Sequence, residues 1–145
     1  MANQLKTQIV INATPQKVWQ ELTNFSEYPN WNPFIKSITG DPVVGKKIIA
    51  RIEPPGAQGM TFTPKVLAYN LNREFTWKGN LVIPGLFDGE HIFMLDDNGN
   101  GTTTLTQSEN FSGLLVPLFK KMIDGKTRQG FDAMNLALKN RVESK

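Results

Sequence analysis

The sequence contains no cysteine among its 145 residues and only one histidine. The first absence removes thiolate catalysis, cysteine-ligated zinc, iron–sulfur clusters and disulfides together. The second leaves too few ligands for a metal site of the usual kind, so none is expected. No run approaches the roughly 18 consecutive apolar residues of a membrane-spanning helix. The opening Met1-Ala2-Asn3-Gln4-Leu5-Lys6 has no basic patch followed by an apolar stretch, which a secretory signal requires. Neither GxGxxG nor GxxxxGK[ST] occurs, which argues against a phosphate-cradling loop. Asp96-Asp97-Asn98-Gly99-Asn100-Gly101 lacks the spacing and terminal glutamate of a calcium loop and reads as a hairpin turn. These absences predict a soluble, cytoplasmic protein with no cofactor and no stable membrane insertion.

Sixteen Lys and Arg against thirteen Asp and Glu leave a net charge of +3, too small to indicate a nucleic-acid partner. Residues 114–145 hold seven basic and three acidic side chains, so the rest carries nine against ten. The basic excess, Lys120, Lys121, Lys126, Arg128, Lys139, Arg141 and Lys145, therefore reads as a solvent-facing coat on the last segment. With 39% hydrophobic and 20% charged residues, the composition suits one compact domain over 1–145. A chain of this size buries enough surface to fold without crosslinks.

Leu5, Ile9 and Ile11 share one face of an expected strand over 5–11. Thr14-Pro15 then signals a helix start, and Val18, Trp19 and Leu22 recur at helical spacing over 15–23. A second short helical turn is predicted over 24–30, carrying Phe25 and Tyr28 and stopped by Pro29. From Trp31 to about Phe111, β-rich runs alternate with Gly, Pro, Asn and Asp clusters, which predicts strands over 34–39, 46–53, 60–69, 73–81, 87–96 and 102–111. Ile48, Ala50 and Ile52 alternate with a largely polar set, the pattern of an antiparallel sheet packed on one face. From Gly113 to about Val142, apolar residues repeat near 3.6 positions, predicting one long helix that tolerates Pro117 in its first turn. Gly125 and Gly130 inside it point to a close approach or a bend.

The segments Ile11-Asn12-Ala13-Thr14-Pro15-Gln16-Lys17-Val18-Trp19 and Tyr28-Pro29-Asn30-Trp31-Asn32-Pro33-Phe34 resemble the opening of the START-like superfamily, also called SRPBCC or helix-grip, in its polyketide cyclase/dehydratase-type branch. Gly85-Leu86-Phe87-Asp88-Gly89-Glu90-His91-Ile92-Phe93 and Glu109-Asn110-Phe111-Ser112-Gly113-Leu114-Leu115 look like the later strand and helix-start motifs of bacterial members. The resemblance spans the whole chain. It implies an α+β helix-grip fold: a curved seven-stranded antiparallel sheet wrapped around a long C-terminal helix, two short helices after the first strand, and a cavity between sheet and helix. It implies no single reaction, because the superfamily holds carriers, binders and aromatase/cyclases alike.

His91 shares a strand face with Phe93 and Leu95. A hairpin loop over Asp97–Gly101 places Gln107 near His91 and Glu109 one diagonal step away. Histidine and carboxylate in an apolar cavity can exchange protons, orient a ligand or simply satisfy one another. No recognisable nucleophile turn completes a triad. Trp31, Phe62, Phe75, Trp77, Phe93, Phe111, Phe119 and Phe131 come from several elements and fill a core or line a pocket. Met60, Met122 and Met134 adapt to irregular contents, and Gly79, Gly89, Gly125 and Gly130 remove side-chain volume. Loops 54–59 and 81–87 are candidate walls of the cavity mouth, the second also a candidate lid, dimer contact or docking surface.

The expected function is binding of a hydrophobic or amphipathic small molecule, lipid-like or polycyclic/aromatic, oriented by His91, Glu109 and Gln107 or Asn110. The alternatives are a cyclase/dehydratase- or isomerase-type enzyme using His91 and Glu109, and a membrane- or protein-interaction module. A monomer or weak homodimer is expected.

Overall fold

The computed structural model describes residues 3–81 and 83–145, so the part of the second loop at Val82 lies outside the described residues. Strand β1 (Asn3–Ile11) buries Leu5, Thr7 and Ile11 on one face. Helix α1 (Pro15–Leu22) starts as its sequence dictates, with the Thr14 hydroxyl accepting from the Lys17 backbone N–H and proline in the first turn. A 3-10 turn over Phe25–Glu27 leads into α2 (Tyr28–Trp31). Here Pro29 opens the helical turn instead of stopping it, since the first N–H of a helix needs no partner. The buried Tyr28 hydroxyl donates to the Leu22 carbonyl, tying the two helical pieces together, and burial pushes its acidity well below that of a free phenol.

The remaining strands are β2 (Ile35–Thr39), β3 (Ile49–Ile52), β4 (Met60–Phe62), β5 (Lys65–Asn70), β6 (Glu74–Asn80), β7 (Asp88–Asp97) and β8 (Thr103–Ser112). Eight strands replace the seven expected. The run over 60–69 is cut in two at Thr63-Pro64, where proline offers no N–H to a ladder. One sheet runs β1-β8-β7-β6-β5 and the other β2-β3-β4. Lys47 pairs with Lys65 as an isolated bridge, and the Ile48 N–H donates to the Pro64 carbonyl, so the two sheets join into one wrapped surface.

The last segment is three consecutive helical pieces: α3 (Val116–Met122), a π turn over Ile123–Thr127, and α4 (Arg128–Glu143). Gly125 sits in the π turn, which accounts for the break anticipated there. Gly130 answers to packing. A Cβ on it would overlap the Phe34 ring, which packs tilted against Phe131 at 5.4 Å. The inner face of α4 buries Phe131, Met134, Leu138 and Val142 against the larger sheet.

The outer face of the helix is more than the expected solvated coat. Arg141 reaches Glu21 at 2.9 Å and Glu27 at 3.0 Å, Lys139 donates to the Val10 carbonyl, and Arg128 donates to that of Lys6. The Glu143 carboxylate accepts from the Asn12 backbone N–H. Lys120, Lys121 and Lys145 remain largely exposed. Glu27 is held below its ordinary value by hydrogen bonds from Asn30 and then Arg141, and Glu143 by the Asn12 N–H and then Lys139.

Candidate ligand-binding site

The middle of the larger sheet grades from full to empty along one face. In the β6–β7 ladder, Phe75 pairs with Phe93, Trp77 with His91 and Gly79 with Gly89. Alternation puts all six positions on the same side. The Phe75–Phe93 end is solid: both rings are fully buried, and Phe75 also meets Phe25, Tyr69 and Trp77 at 5.2–5.6 Å. At the other end two glycines face each other, with Glu109 over Gly89 and Pro64 beside Gly79, and their missing side chains leave a space between sheet and helix.

That space is a cavity of about 130 Å³. Trp77, Gly79, Gly89, Glu109 and Phe111 form its sheet wall, and Ile52, Met60, Phe62 and Pro64 contribute from the smaller sheet and its link. Met122, Ile123 and Thr127 close the helix side, while Pro54, Ala57 and Gln58 of the first loop form the rim. The π turn therefore does positional work, since Ile123 and Thr127 belong to it. Among the described residues, Glu109 is the only ionisable side chain in the lining.

Glu109 arrives there through the β7–β8 register. His91 lies directly opposite Glu109, and Gln107 opposite Phe93, two residues shifted from the expected pairing. The shift comes from a turn of the expected length placed one residue later than the Asp97–Gly101 anticipated. Asp97 pairs with Thr103, leaving a five-residue loop held by side chains: Asp97 accepts from the Gly99 N–H, Asn98 bonds Thr102 and Asn100 accepts from Thr102. Gly99 and Gly101 supply the positive φ values, 79° and 84°, that such a loop needs. Both anticipated neighbours of His91 are still reached. Its Nδ1 lies 3.3 Å from Glu109 Oε1, and its Nε2 lies 2.9 Å from Gln107 Oε1.

Of the side chains singled out in the sequence, Met60, Phe62, Trp77, Glu109, Phe111 and Met122 line the cavity. The others do not, each for a packing reason. Phe75 and Phe93 belong to the solid end of the sheet, and Met134 lies on the buried face of α4. Phe131 is held between Phe34 and His91. Trp31 packs edge-on against Tyr28. Phe119 packs edge-on against Phe87 at 4.9 Å. His91 and Gln107 are fully buried one layer behind Glu109. Asn110 points to the opposite face, where it bonds Gln4.

Phe34, Ile52, Ile123 and Thr127 line the site without having been anticipated, because their facing depends on the β2–β3 bulge and the π turn, which leave no periodic signal. Both suspected loops contribute. Phe87 of the second packs inward on Phe111 at 5.6 Å, and the backbone N–H groups of Leu114 and Leu115 hold the Gly85 and Leu86 carbonyls. Ile83 stays exposed. The described helices include none long and apolar enough to cross a membrane.

A curved antiparallel sheet closed by a C-terminal helix, with a cavity between them, defines the helix-grip class. Residues 3–143 match the model of the family described as polyketide cyclase / dehydrase and lipid transport, and the chain belongs to that family. Its fold is similar to the Zhui aromatase/cyclase from Streptomyces sp. R1128, with a TM-score of 0.79 at 13% identity over 99% of this chain and 94% of that one. A START superfamily protein from Mycobacterium smegmatis gives 0.73 at 22% identity, covering 97% of each chain. Norcoclaurine synthase from Thalictrum flavum gives 0.73 at 14% identity, over 99% and 88%. At these identities the likeness concerns the fold. No curated protein matches the chain in sequence.

Proposed function

We propose that the chain binds a small, largely hydrophobic molecule in the cavity between sheet and helix, with Glu109 orienting it. The observation that carries this reading is an apolar cavity with one carboxylate in its wall, the usual composition of a small-molecule site. A cavity of about 130 Å³ is close to the roughly 150 Å³ known to take up benzene, which within the lipid-like or polycyclic/aromatic range expected from sequence favours a single aromatic ring. The family and the folds it resembles support the class of ligand without selecting one.

Native mass spectrometry and displacement of a lipophilic fluorescent probe test the reading. The wild-type chain should take up probe, and Gly79→Leu should not. A Cβ at position 79 meets only Pro64, at 3.5 Å, so the larger side chain is accommodated and occupies the cavity. Equal probe uptake by both proteins would sink the proposal.

A second reading, an enzyme of the cyclase, dehydratase or isomerase kind, is favoured by one contact: the Glu109 carboxylate backed by His91 at 3.3 Å. It requires that His91→Ala remove turnover of a bound carbonyl compound while leaving uptake intact. Loss of uptake alone favours the binder.

A further inference from the structure

Behind the cavity wall, a chain of buried polar groups runs from Glu109 through the sheet to α4 and back to β1. His91 Nε2 faces Gln107 Oε1 at 2.9 Å, Gln107 Nε2 donates to Asn135 Oδ1 at 2.7 Å, and Asn135 Nδ2 donates to Thr7 Oγ1 at 2.8 Å. The Thr7 hydroxyl closes the loop by donating to the Gln107 carbonyl at 2.9 Å. His91, Gln107, Asn135 and Thr7 are all buried, with at most 6% of their surface exposed.

The direction of this chain is fixed by one backbone group. Gln107 Nε2 also lies 3.5 Å from the Phe131 carbonyl. Turning the amide over would set its oxygen against that carbonyl and against Asn135 Oδ1, and would leave the nitrogen facing His91. Gln107 therefore presents an oxygen to His91, and only a protonated Nε2 can satisfy it. Nδ1 in turn faces a carboxyl oxygen, so a hydrogen bond there needs a proton in the gap, either on the imidazole or on Glu109. The ring packs, tilted, against Trp77, Phe93 and Phe131 at 4.8–5.0 Å, which holds its orientation.

We infer that Gln107, oriented by Asn135 and the Phe131 carbonyl, locks His91 with Nε2 protonated, so that a proton bridges His91 and Glu109 and Glu109 Oε2 faces the cavity as a hydrogen-bond acceptor. The ligand class follows: a ring-sized molecule with a donor group, such as a phenolic hydroxyl. This class rests on the cavity being the binding site; the proton arrangement does not. Oε2 lies over Gly89, where any Cβ would overlap it, so the glycine keeps the acceptor in place. Gln107 and Asn135 are positioning residues, since they act through His91.

Because His91 is the only histidine, nitrogen-15 NMR of the ring reports on it without ambiguity. The free protein should show a protonated Nε2. Gln107→Met should lose that signature, and Gln107→Glu, which keeps an acceptor oxygen, should retain it, with amide spectra confirming that both variants are folded. A bare Nε2 in the native protein, or an unchanged ring in Gln107→Met, overturns the lock. The ligand class is tested with phenol and toluene. Glu109→Leu should lower the ratio of phenol to toluene affinity by about tenfold, the effect of losing a hydrogen bond to a charged group. An unchanged ratio overturns the acceptor role. If neither compound binds while the His91 spectrum is as expected, the cavity reading and the ligand class fall and the proton lock stands.

Discussion

Two ends of one strand ladder do opposite things with the same geometry. At Phe75–Phe93 the cross-strand pair is aromatic and sealed by Phe25, Tyr69 and Trp77; four residues along, Gly79–Gly89 contributes no side chain at all. The backbone pairing is continuous through both. The solid end anchors the curvature of the sheet, and the empty end can hold a cavity because its walls are fixed by that anchor and not by mutual contact. Stability and binding are thus separated by only a few residues of strand.

That separation predicts a steep gradient of mutational effect. Phe75→Ala should cost about 3–5 kcal/mol in urea unfolding, as expected for removing a fully buried ring, and Met122→Ala at the cavity rim, where 40% of the side chain is exposed, should cost well under half of that. Similar losses at both sites would erase the distinction. Gly130→Ala should come next, at about 1–3 kcal/mol, because the added methyl meets the Phe34 ring. Gly125→Ala, whose Cβ meets nothing within 4 Å, should leave thermal stability unchanged or raise it by up to about 1 kcal/mol.

The smallest effect is a pH effect at the C-terminal end of α4. Glu27 and Glu143 bind protons more weakly folded than unfolded, so the stability they add is in place above the ordinary carboxylate range. It is lost as pH falls through their lowered folded values. Hydrogen exchange should show the last turn of α4 and residues 12–14 loosening first on acidification, with the Phe75 region still protected. Simultaneous loosening of both regions would contradict the comparison.

Much of this was legible in the chain, and the residues show why. Thr14-Pro15 marked a helix start because capping is local chemistry, and the alternation of Ile48, Ala50 and Ile52 marked a one-sided strand. The strand order of the meander followed from its turns. What escaped was set by single-residue irregularities. Pro64 split one strand into two, the five-residue loop at Asn98–Thr102 moved the His91 register by two, and the π turn re-aimed Ile123 and Thr127. Most of the nominated aromatics proved to be core, because period-2 alternation tells inward from outward but not packed from lining. The polar chain through Asn135 left no local sign, since it joins residues more than a hundred positions apart.

The π turn has a consequence for how this site can change. It holds one residue more than an α-helical turn would, so deleting Gly125 should let the segment close into an ordinary α-helix with α3 and α4 keeping nearly the same relative faces. The deletion would remove the bulge that presents Ile123 and Thr127 to the cavity, while α4 kept its place on the sheet. In this architecture the length of the chain at one turn, independent of any side chain's chemistry, is a dial on the shape of the mouth.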